Sequence, residues 1–68
     1  MNPTKIEAYL EVKQMVSAMR ETTIQRSKSE TTMSPALIET VVTGILKVLD
    51  TVNIGIDELI LREAKKNE

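Results

Sequence analysis

The sequence predicts an all-α protein, a two-helix antiparallel hairpin that dimerises into a four-helix bundle. Three observations carry this expectation. Apolar residues recur at steps of three and four along two long stretches, the period of an amphipathic helix. Residues 27–32, Ser-Lys-Ser-Glu-Thr-Thr, separate them without one apolar side chain. The second stretch also carries a wider aliphatic stripe than one partner helix can cover.

The first helix is expected over residues 4–26. Thr4-Lys5-Ile6-Glu7 fits a capping box, in which the Thr4 hydroxyl accepts from the Glu7 N–H. Asn2 as N-cap with Pro3 at the first helical position is an equally legal start. Ile6, Tyr9, Val12, Val16 and Met19 form the apolar stripe and Met15 widens it, while Glu7, Glu11, Gln14 and Glu21 fall opposite. The pattern fades after Ile24, and Ser and Thr favour turns and caps, which places the connection at residues 27–33.

The second helix is expected over residues 35–65. Ser34 is a strong N-cap and Pro35 suits the first helical position, where its missing N–H costs nothing. Met33 and Ile38 are spaced for a hydrophobic staple across that start. Ile38, Ile45, Val52 and Leu59 repeat every seven residues, and Val42, Leu49 and Ile56 form a second row at the same spacing. Together they read as the two rows of a coiled-coil seam and are the expected oligomer interface. Val41, Leu46, Val48 and Ile60 flank them. Gly44 and Gly55 share roughly one edge, and Arg62, Lys65 and Lys66 complement the helix dipole at the end. Residues 52–57 alternate apolar and polar, which is a strand signature. A lone strand would leave backbone groups unpaired, so the helix is preferred, with a kink near residues 53–55 as the milder alternative.

Composition narrows the function. The 68 residues make one small domain with no Cys, His, Trp or Phe, and Tyr9 is the sole aromatic. Disulfides, thiolate and imidazole chemistry and Cys-based metal sites are excluded, and no cofactor or metal is expected. A core this small supplies only about 3–5 kcal/mol, so association is the remaining route to stability. No secretory leader and no membrane span are legible, and with no cysteine the expected location is cytoplasmic.

The charged residues offer little catalysis. Asp50 and Asp57 lie two turns apart, about 10 Å along a helix, too far to share one ion without a third group. Glu58 and Arg62 are spaced for a surface ion pair. No enzyme is expected. Lys13, Arg20 and Lys28 line one edge of the first helix, and a twofold axis would extend them into a basic strip for RNA or DNA. The net charge of −1 disfavours that reading. Met15 and Met19, adjacent on one face, and Ile54 and Leu61, which point away from the main seam, are candidate partner surfaces. The sequence therefore favours a non-enzymatic interaction protein: a small adaptor, an assembly or secretion chaperone, or a regulator, binding itself and another protein. A dimeric nucleic-acid-binding regulator is the runner-up, and a phage-type inhibitor of a host protein fits by size alone.

Overall fold

A computed structural model describes residues 4–66; the alternative start at Asn2–Pro3, and Met1, lie outside them. Two helices, α1 (Lys5–Ser29) and α2 (Pro35–Lys66), pack against each other as an antiparallel hairpin. Thr4 caps α1 from extended backbone, its Oγ1 accepting from the Glu7 N–H at 3.1 Å. Ser34 caps α2 in the same way, with Oγ accepting from the Leu37 N–H at 3.2 Å. Both helix starts thus follow the capping residues.

The end of α1 differs from expectation by three residues. Ser27 and Ser29 do not break the helix, because each hydroxyl donates to a carbonyl three residues back, Ile24 and Arg26 respectively. Arg26 and Lys28 in the last turn complement the dipole. The chain leaves the helix at Glu30, whose backbone is extended. Its carboxylate accepts from both the N–H and the hydroxyl of Thr32 and so staples the connection. Helix α2 runs unbroken through residues 53–55, and neither a strand nor a break forms there. Within it, the Thr40 and Thr51 hydroxyls donate to the Ala36 and Lys47 carbonyls four residues back.

The seam between the helices is narrow. Val16, Leu49 and Ile56 are its buried centre, with Tyr9, Leu46 and Ile60 packed around them. The inward rows are Ile6, Tyr9, Lys13, Val16, Arg20, Thr23 and Ser27 on α1, and Val42, Leu46, Leu49, Asn53, Ile56 and Ile60 on α2. Val12 and Met19, read from the sequence as part of the α1 stripe, are exposed at 41% and 56%. The reason lies one residue further on. Lys13 and Arg20, both half-buried, take the positions at the seam edge and pair with Asp57 and Asp50 of α2, and in this register Val12 and Met19 face outward.

The hairpin is a slab rather than a ball. It measures 51 × 21 × 9 Å between Cα extremes, with a radius of gyration of 15.9 Å. A compact chain of this length has a radius near 11 Å. Its accessible surface is 5602 Å², whereas a compact monomer of 7.6 kDa exposes about 4,300 Å². Among the described residues no helix is long and apolar enough to cross a membrane.

Candidate interaction surface

The two broad faces of the slab differ in chemistry, and the heptad register explains why. On one face Lys13 Nζ meets Asp57 Oδ1 at 2.6 Å, and Arg20 Nη1 meets Asp50 Oδ1 at 2.5 Å. Both aspartates directly follow an inward residue of α2, Leu49 or Ile56. Residues that directly precede an inward residue flank the seam on the other side. Nearest the seam these are Val12 and Met19 on α1, which precede Lys13 and Arg20, and Ile45, Val52 and Leu59 on α2, which precede Leu46, Asn53 and Ile60. Met15, Val41 and Val48 continue that side one row further out.

The result is an uncharged face. On α1 it presents Val12, Met15 and Met19, of which Met15 is 62% exposed; on α2 it presents Val41, Ile45, Val48, Val52 and Leu59, of which Val48 is also 62% exposed. Ala8, Thr22 and Gly55 fill the remaining positions of the same rows, and Lys5, Arg26 and Arg62 stand at its ends. An open crevice lined by Thr22, Arg26, Met33, Ile38, Val41 and Ile45 extends this face toward the connection.

The seven residues read from the sequence as one oligomer seam are divided by the structure. Val42, Leu49 and Ile56 face α1, and Ile38 is half-buried beside them. Ile45, Val52 and Leu59 are left outward at about 40% exposure. The candidate partner residues divide as well. Met15 and Met19 join the apolar face, while Ile54 and Leu61, each 61% exposed, directly follow the inward Asn53 and Ile60 and so lie toward the side of Asp50 and Asp57.

The candidate nucleic-acid residues are not a free basic strip. Lys13 and Arg20 are each neutralised by an aspartate of α2, and Lys28 stands exposed near the end of α1. Asp50 and Asp57, considered above as a carboxylate pair, are separately engaged by these cations. Sequence reasoning missed the two interhelical ion pairs, although their signal is present in the spacing. Two cations seven apart on one helix match two aspartates seven apart on the other, in reversed order. Comparison with protein-family models, curated proteins and solved structures returns no match to this chain.

Proposed function

We propose that the protein is a non-enzymatic protein–protein interaction module that works as a homo-oligomeric helical bundle, in the manner of a small adaptor, an assembly or secretion chaperone, or a regulator. The observation that carries this reading is the uncharged face formed jointly by both helices. Isolated surface aliphatics are ordinary, but a contiguous apolar patch of this extent marks an interaction site. Two flexible methionines at its centre, Met15 and Met19, suit a surface that adapts to what it binds. Each large aliphatic side chain moved from water into an interface gains about 1.5–3 kcal/mol. The hairpin has only three buried residues of its own among those described, so this gain is comparable with everything its core supplies.

A nucleic-acid role loses its support at the same residues that suggested it. Phosphate binding by Lys13 and Arg20 would first have to break two ion pairs that tie α1 to α2.

Val48→Glu tests the proposal. In a lone hairpin this side chain is 62% exposed, and surface substitutions of that kind change stability by less than about 0.5 kcal/mol. In an associated bundle the new carboxylate is buried without a partner, so the complex dissociates. Loss of the oligomer in size-exclusion chromatography with light scattering is the expected result. Unchanged mass and melting temperature would reject the face as an interface.

A further inference from the structure

On the apolar face, four exposed side chains of α2, Val41, Val48, Val52 and Leu59, are placed symmetrically about residue 50. Turned end for end, the helix places Val41 over Leu59, Ile45 over Gly55 and Val48 over Val52. We infer that a second copy of this chain covers the apolar face, with α2 lying antiparallel on the α2 of the second copy about a twofold axis near residue 50. The inference rests on the self-association proposed above and specifies its geometry.

Area, charge and shape each argue for this occupant. The 51 × 21 Å outline gives the slab a broad face of order 1,000 Å², and a stable interface buries about 800 Å² on each partner. Covering that face removes most of the excess surface that separates this hairpin from a compact monomer. Between its end cations the face carries no charge, so a second copy meets no repulsion and needs no complementary partner. A twofold interface requires one patch to match itself, and the reversal about residue 50 satisfies that. Gly55 adds the shape argument. A Cβ built there meets nothing within 4 Å, so the space above Gly55 is open, and the residue brought over it is Ile45, 41% exposed in the single hairpin. With α2 on α2, α1 lies antiparallel on the second α1, and Met15 and Met19 are enclosed between copies. The Lys13–Asp57 and Arg20–Asp50 pairs then remain on the outside of both hairpins.

Disulfide trapping tests the geometry, because the chain has no cysteine of its own. Val48→Cys and Val52→Cys are prepared separately, mixed and oxidised. The mixture is expected to form a heterologous disulfide far faster than either variant alone. Same-residue pairs would be offset by about 6 Å along the axis in addition to the 8–10 Å between helices, beyond disulfide reach. Rapid trapping of Val48→Cys with Met19→Cys instead would show α2 lying on α1 of the second copy. That would overturn the inference while leaving self-association standing. A native chain that sediments as a 7.6 kDa monomer, with no trapping in any mixture, would overturn both.

Discussion

At the scale of single residues, the stability of the hairpin depends on a few side chains. Leu49 and Ile56 are each 7% exposed and pack on Val16. Truncating a buried Leu or Ile to Ala costs about 2–5 kcal/mol. Leu49→Ala is therefore expected to remove most of the cooperative helical melt, as read by circular dichroism. Glu30 supplies a pH dependence. The hydroxyl of Thr32, and then its N–H, hold the Glu30 carboxyl below its ordinary value of 4.5, with smaller help from the Thr31 backbone and Arg26 against a slight desolvation. A pKa lowered by folding contributes stability above the unfolded value, and that contribution is lost as pH falls through the folded one. Glu30→Gln should thus lower the melting temperature at neutral pH, and the difference from the native chain should vanish in acid below the carboxylate range. A difference that persisted in acid would mean that the staple does not depend on the charge. The two ion pairs are half-exposed, and such pairs contribute about 0.2–1 kcal/mol each. Their larger effect is on register, because sliding one helix by a turn separates both pairs at once.

At the scale of the helices, caps set the starts and periodicity sets the packing faces. Thr4, Ser34 and Pro35 announce both starts in the sequence, and both starts are where those residues place them. The strand-like alternation over residues 52–57 yields to the helix because no second strand is present among the described residues to satisfy a ladder, whereas a helix closes its own bonds. Amide exchange checks this directly: the N–H groups of residues 53–55 should be as protected as those of residues 46–50. Gly44 lies on the solvent side of α2 with nothing within 4 Å of a built Cβ. Gly44→Ala should therefore stabilise by about 0.5–1 kcal/mol through backbone entropy. What the sequence did not disclose is which rows face inward. Ile45, Val52 and Leu59 are as aliphatic as Leu46, Leu49 and Ile56, and a stripe wide enough for several neighbours offers more than one possible seam. In the observed register Lys13 and Arg20 stand at the edge of the seam, with their aspartate partners on the other helix. A pairing of that kind becomes apparent only when both helices are laid side by side. The same ambiguity hid the apolar face: Val12 and Met19 read as core on a single helix, and only the register turns them outward.

At the scale of the whole molecule, the governing fact is an imbalance between inside and outside. The slab exposes roughly 1,300 Å² more than a compact chain of its mass, and one of its two broad faces is uncharged between its ends. The proposed self-association would cover that face, give the protein the core that a single hairpin lacks, and use the wide stripe on α2 that one neighbour cannot. Association also couples stability to concentration, so the melting temperature of the native chain should rise as the protein is concentrated. Sedimentation equilibrium across a range of concentrations tests the central claim most directly. The account predicts a mass of twice 7.6 kDa or a higher multiple, falling toward the monomer only on dilution and with loss of helicity. A well-folded 7.6 kDa monomer whose melt does not depend on concentration would contradict it.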